Sequence, residues 1–417
     1  MGSKISALVE RVKQSPTTSI VLWCTGVVGL WRLCLELINQ ALVPYLTPPV
    51  YAASRDLPNP HVWAGLLRWM NWDGQWYKTI IEHGYIVRHH LQAGETIAFF
   101  PFFPFMVKWL SALMHISYKI IGFGLNACFL IATVVFLYKL TIFLMDANSA
   151  KKDFAGKIAV CAFLLSPAAF FLATFYVEPL LVLCFTAGIY YALKQKYYIA
   201  VVFSAVAGAS KIDGIVIAMV VLTLYVQRNY DVSLSLWRNT LKHMAKIIAL
   251  GLIGVSGLMA YLLYLWHRFG TPLASLENQK YWDRHAGNFL VNLWTSEYSH
   301  IGSIYYFGNK INYIYHIYLM ALPIAVILGL LYALRWKKQM WLSVFTVIMI
   351  LLPILSGTLM SLNRVFIVLT PLLACVVAAI VQRNNCHIKY LGVGVLSLSA
   401  VLLMIFTTAF LGVYFVG

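Results

Sequence analysis

Charge is what this chain has least of. Only 11% of its 417 residues are charged, 61% are hydrophobic, and the mean hydropathy is +0.78. A soluble domain carries about 25% charged residues. So apolar a chain has too little polar surface to face water on all sides, which excludes a soluble globular enzyme, a disordered protein and a nucleic-acid-binding module. Acidic residues are scarcer still: 14 Asp and Glu stand against 31 Lys and Arg, a net charge of +17. In a membrane protein such an excess marks the cytoplasmic ends of helices, so nucleic acid is not an expected partner. The seven cysteines form no CxxC pair, and most lie in apolar runs (Cys24, Cys34, Cys128, Cys161, Cys184, Cys375); neither zinc ligation nor a disulfide framework is indicated. The histidines lack metal-ligand spacing, so no metal is expected. There is no Gly-rich phosphate loop, no clear internal repeat and no cleavable signal peptide. The first apolar run begins near Ser19, is long enough to span, and reads as a retained helix.

What the chain does have is long unbroken apolar runs, which argue for spanning helices over barrel strands. The expected fold is an all-α polytopic membrane protein forming one domain over residues 1–417. Eleven spans are expected, at 19–47, 119–145, 156–176, 178–194, 197–210, 213–227, 245–268, 311–334, 340–358, 365–382 and 388–415. Residues 97–114 carry Pro101, Pro104 and Lys108, which disfavour a regular spanning helix. If they do not span and the N-terminus is cytoplasmic, then Lys151, Lys152, Lys157, Lys194, Lys196, Arg228, Arg238, Arg335, Lys337, Lys338, Arg383 and Lys389 all fall inside. A span there would invert every later loop against the positive-inside rule. The segment therefore reads as an amphipathic helix at the outer interface. Two long segments, 48–118 and 269–310, then lie outside, as in a membrane enzyme working at its external face.

With so few carboxylates, each can be weighed. Arg32 and Glu36, four residues apart in the first span, read as a mutual ion pair. The richest stretch is NWDGQWYKTIIEHGY at 71–85. Asp73 stands there among Trp72, Trp76, Tyr77 and Tyr85, a setting that suits a partly desolvated general base beside a sugar-stacking surface. It equally suits a helix N-cap, and an aromatic belt needs no substrate. Glu82, nine residues on, falls on the opposite side of the same helix, which disfavours a paired-carboxylate mechanism within it. Glu178 precedes Pro179 at a helix start, where the helix dipole alone favours it. Lys211 and Asp213 share a tight turn; they neutralise each other or present a cation to a lipid phosphate. Lys280, Arg284 and His285 form an anion-binding possibility in the second outer segment. Arg364 lies at the outer end of a span, where an unpaired guanidinium suits a phosphate or snorkels to headgroups.

WDGQWYKTIIEHGY followed by AFFPFFPF resembles the signature of the GPI mannosyltransferase 2 family and its prokaryotic relatives. SPAAFFLATFYVEPLL, GTPLASLENQKYWDR and SLNRVFIVLTPLL resemble that family's later motifs, in order, from about residue 70 to 375. The chain departs from the pattern at Lys211-Ile212-Asp213-Gly214, at Tyr176-Val177-Glu178 and at Arg364-Val365. The resemblance implies an integral-membrane glycosyltransferase of class C. Such an enzyme transfers mannose with inversion from a polyprenyl-phosphate sugar to a lipid or glycan acceptor at the non-cytoplasmic face, with no metal or other cofactor. It implies Asp73 as the base. Substrate contacts fall at Trp72, Trp76, Tyr77, Glu82, Tyr85, Tyr176, Glu178, Gln279 and Trp282. The donor phosphate falls to Arg364, Lys211 and Arg284. A transporter or flippase of a lipid-linked sugar is the alternative, disfavoured because the polar residues cluster at one face. The absence of an N-x-[ST] sequon and the compact length favour a prokaryotic source, hence the plasma membrane; a eukaryotic source would imply the endoplasmic reticulum. The expected partners are membrane lipids and these substrates; the oligomeric state is left open.

Overall fold

The computed structural model describes residues 16–45, 65–85, 96–145, 149–229, 237–278, 310–337, 340–355, 362–382 and 386–412. These residues are mostly helical, with no strand among them. The helices are α1 (Pro16–Leu42), α2 (Asp73–His83), α3 (Phe102–Met114), α4 (Tyr118–Leu144), α5 (Ser149–Leu164), α6 (Glu178–Leu193), α7 (Tyr197–Gly208), α8 (Val216–Asn229), α9 (Trp237–Phe269), α10 (Lys310–Lys337), α11 (Met340–Leu355), α12 (Thr370–Val381) and α13 (Cys386–Leu411).

Among the described residues, six segments are long and apolar enough to cross a membrane: Thr18–Tyr45, Tyr118–Leu144, Ile212–Asn229, His243–Phe269, Leu362–Val381 and Lys389–Leu411. Each coincides with an expected span, and the chain is an integral membrane protein. Four more expected spans are shorter apolar helices (Glu178–Leu193, Tyr197–Gly208, Ile317–Ala333, Trp341–Leu351). The eleventh, 156–176, is corrected. Its helix ends at Leu164, just before Ser166-Pro167, and the chain continues through a 3-10 turn at Ala169–Ala173. The proline ring restricts the residue before it and cannot donate, so the helix stops there. Residues 97–114 begin in a 3-10 turn (Thr96–Ala98) and hold one α-helix, the 13-residue α3, about 20 Å long. It buries Phe103, Pro104 and Val107 and exposes Lys108 and Trp109.

Helix α6 is the centre. It is buried on nearly every side, as an all-round apolar helix must be, and packs on α4, α7 and α8. Helix α9 lies closely against α7. At their crossing a side chain on Gly257 would collide with the Ala205 carbonyl, so only glycine lets the two backbones approach. Helix α12 packs on α5, and α13 on α1 and α12. Around the N-terminal end of α6 this arrangement gathers residues from remote parts of the chain.

Candidate active site

The chain reaches Asp73 through a 3-10 turn, Gly65–Met70, and a sharp bend at Trp72 with φ 58° and ψ −117°. Positive φ in a tryptophan costs about 1–3 kcal/mol. The bend is held by the Tyr176 hydroxyl, which donates to the Asn71 carbonyl (2.8 Å) and accepts from the Asp73 N–H (3.1 Å). Trp72 thus takes the cap position and Asp73 is the first residue of α2. This corrects the reading of Asp73 as an N-cap. Its carboxylate is directed to another helix.

That partner is Arg364, whose Nη1 donates to Asp73 Oδ2. The same guanidinium grips Glu178, with Nε at 2.9 Å and Nη2 at 2.7 Å from Oε1. The reading of Arg364 as unpaired is corrected: it bridges two carboxylates. Three of its five N–H groups are used, and its plane lies over Tyr176 (4.8 Å) and Phe171 (5.7 Å). The side chains grade outward. Glu178 is 0% exposed, Arg364 11% and Asp73 19%. Glu178 Oε2 is buried without a partner. Of the two carboxylates, Asp73 alone can be reached from outside.

The site rests on the non-helical segment between α5 and α6. Backbone that is not helical must be satisfied from elsewhere when water is absent, and side chains of α1 and α4 and the turn before α2 supply partners. Arg32 donates to the Ala173 carbonyl (3.2 Å). Asn126 Nδ2 donates to the carbonyls of Thr174 and Tyr176, both at 2.9 Å. The Phe175 N–H reaches the Trp69 carbonyl (2.9 Å). Asn71 Nδ2 ties the α2 entry to the Phe410 carbonyl of α13 (3.2 Å).

The remaining sequence-derived candidates fall into three groups. Tyr77 is buried against Tyr176, Phe99 and Phe103 beside the cluster. Burial first, then the Glu178 charge, pushes its phenol well above the ordinary value, so it stays protonated. Trp72 packs half-buried on the main core, and Trp76 stacks on Phe99 at 6.0 Å and 17°. Further out, the Tyr85 hydroxyl donates to the Phe99 carbonyl (2.6 Å), and Glu82 accepts from the Tyr118 hydroxyl (2.6 Å). Glu82 and Asp73 thus have different partners, as their half-turn offset requires. Lys211 is paired with Asp213 at 3.3 Å. Gln279, Trp282 and Arg284 lie outside the described residues, as do Lys280 and His285. Among the described residues no group of three or more His, Cys, Asp or Glu could hold a metal. Asn71 and Asn126 were not anticipated; the polar Asn126 inside an apolar span was the available signal.

The profile of the mannosyltransferase (PIG-V) family matches residues 27–351. The chain belongs to that family. The matched region contains Asp73, Glu178 and the segment between α5 and α6, and ends before Arg364. No curated protein matches the chain. Similar solved structures include the Archaeoglobus fulgidus oligosaccharyltransferase tethered with an acceptor peptide (11% identity, TM-score 0.47, 98% of this chain and 56% of that one). Its apo form gives 13% identity and TM-score 0.47, over 97% and 57%. Archaeal oligosaccharyltransferase AglB from Archaeoglobus fulgidus, in complex with an inhibitory peptide and a dolichol-phosphate, gives 12% and 0.45, over 96% and 56%. The PIG-V family chain spans little more than half the length of these structures.

Proposed function

We propose that this PIG-V family protein is a class C glycosyltransferase. It moves mannose, with inversion, from a polyprenyl-phosphate donor to a hydroxyl of a lipid or glycan acceptor at the non-cytoplasmic face. Asp73 is the general base. The observation that carries the reading is the Asp73–Arg364–Glu178 cluster, in which only the outer carboxylate is accessible. A base that acts on an acceptor hydroxyl must reach it and must be held in place. Arg364 does the holding, and the buried Glu178 fixes Arg364 from behind. As the hydroxyl oxygen attacks the anomeric carbon, its proton passes to Asp73 and the carbon–oxygen bond to the lipid phosphate breaks. The departing phosphate needs cations rather than a general acid, and the reading assigns no metal. The half-buried Trp72, Trp76 and Tyr85 are the proposed contacts for sugar rings, with Glu82, Gln279 and Trp282 completing the substrate set; the buried Tyr77, Tyr176 and Glu178 shape the site from behind. Lys211 and Arg284 are the sequence-derived cations that remain for the donor phosphate, because Arg364 is taken up by the two carboxylates.

The test is product analysis. Purified protein is incubated with mannosyl-, glucosyl- and arabinosyl-phosphopolyprenol and extracted membrane lipids, and products are identified by mass spectrometry. A mannosylated lipid of inverted anomeric configuration is the expected result; movement of lipid-linked sugar across proteoliposomes without transfer would replace this reading with a transporter.

A further inference from the structure

The Arg32–Glu36 pair that four-residue spacing suggests does not form. Both Glu36 oxygens are taken by neutral donors, Asn39 Nδ2 at 2.9 Å and Trp69 Nε1 at 3.0 Å. Arg32 instead lies 4.0 Å over the Trp69 ring and gives one N–H to the Ala173 carbonyl. Its Nη2 is buried with no partner, and among the described residues no carboxylate stands within ion-pair distance. Arg68, itself buried, joins the same group by donating to Asn39 Oδ1 at 2.9 Å.

Arg32 sits in the middle of an apolar span, Thr18–Tyr45, whose outer side exposes Leu30, Leu33 and Leu37. A guanidinium at that depth is costly unless an anion meets it. Arg364 offers a contrast. It stands between two carboxylates, so its surroundings carry a net negative charge that repels a phosphate. Both arginines touch one short segment, Arg32 at the Ala173 carbonyl and Arg364 over the rings of Phe171 and Tyr176.

We infer that Arg32, with Arg68 beside it, is a binding site for the phosphate of an anionic lipid that enters past the lipid-facing side of α1. The phosphate chemistry stands on this geometry alone. Naming polyprenyl phosphate as the physiological occupant rests on the transferase reading above, and places the donor phosphate at Arg32 with Arg364 kept for positioning Asp73.

The test is lipid binding by the full-length protein in phosphatidylcholine nanodiscs. Polyprenyl monophosphate, neutral polyprenol and phosphatidylglycerol are compared by native mass spectrometry. Polyprenyl monophosphate is expected to bind at least tenfold more tightly than polyprenol. Arg32→Gln should weaken it about tenfold or more, the loss of a charge-assisted contact, and Arg32→Lys should fall between. Equal, Arg32-dependent binding of phosphatidylglycerol supports the site and identifies it as one for lipid phosphates in general. Unchanged affinity in Arg32→Gln overturns the site. Should that variant not fold, a photoactivatable polyprenyl phosphate on the unmodified protein decides: labels on residues 30–37 support the site, and labels confined elsewhere overturn it. Arg32-dependent binding without any sugar transfer would uphold the site and refute the transferase; transfer by Arg32→Gln at unchanged donor KM would do the reverse.

Discussion

Arg364 and Asp73 stand 291 positions apart in the chain and meet as an ion pair. The contact is completed by Glu178, 186 positions from Arg364. Two carboxylates therefore compete for one cation, and the one buried deeper makes the better-shaped contact, leaving the outer one the freer to react.

Asp73→Asn is expected to lower sugar transfer by about 10²–10⁴-fold while the protein stays folded, because Glu178 still holds Arg364. Product formation by mass spectrometry, read beside the apparent Tm in detergent, checks both halves. Transfer within threefold of the parent would remove Asp73 from the role of base.

Arg364→Ala leaves two carboxylates facing each other without a cation. Breaking a buried pair costs about 3–5 kcal/mol, so a large fall in apparent Tm is expected. The double variant Arg364→Met with Glu178→Gln should recover much of the stability and none of the activity. Equal stability of the single and double variants would show that the pairing does not matter to the fold.

Tyr176→Phe removes the hydroxyl that links the Asn71 carbonyl to the Asp73 N–H. Two backbone groups lose a partner, at about 1–3 kcal/mol. Because the bend at Trp72 loosens, kcat should fall more than donor KM rises. A change confined to KM would place Tyr176 on the substrate rather than behind the base.

Lys211 and Asp213 form a partly buried pair. If the lysine serves the donor phosphate, Lys211→Ala and Lys211→Ala/Asp213→Ala should both raise donor KM. If the two only neutralise each other, the double variant should restore the parent KM. Steady-state kinetics over a range of donor concentrations separates the two outcomes.

Gly257→Ala should cost about 1–3 kcal/mol through overpacking of α7 on α9. Gly29→Ala, where a side chain meets nothing within 4 Å, is the control and should leave the apparent Tm unchanged.

Most of the helical segments were legible because a bilayer demands long apolar runs, and these show in one chain without any partner. Asp73, Glu178 and Arg364 were each visible as charges that an apolar chain would not keep idly. Their meeting was not, since spacing rules speak only of neighbours on one helix. The same limit explains the local misreadings. Arg32 and Glu36 have the right spacing for a pair, yet Trp69, Asn39 and the Ala173 carbonyl outcompete it. Asp73 has the right neighbours for a cap, yet a tryptophan in strained backbone takes that position because Tyr176 braces it. Ser166-Pro167 was the sign in the sequence that span 156–176 stops short.

The segment between α5 and α6 has a consequence for synthesis. A ribosome that has made α6 has already produced both acids, while the arginine that bridges them, and the α13 carbonyl that pins Asn71, are still unmade. Until Arg364 arrives, the two acids have no shared cation to draw them together. The reaction centre is therefore complete only once the chain has been made as far as Arg364.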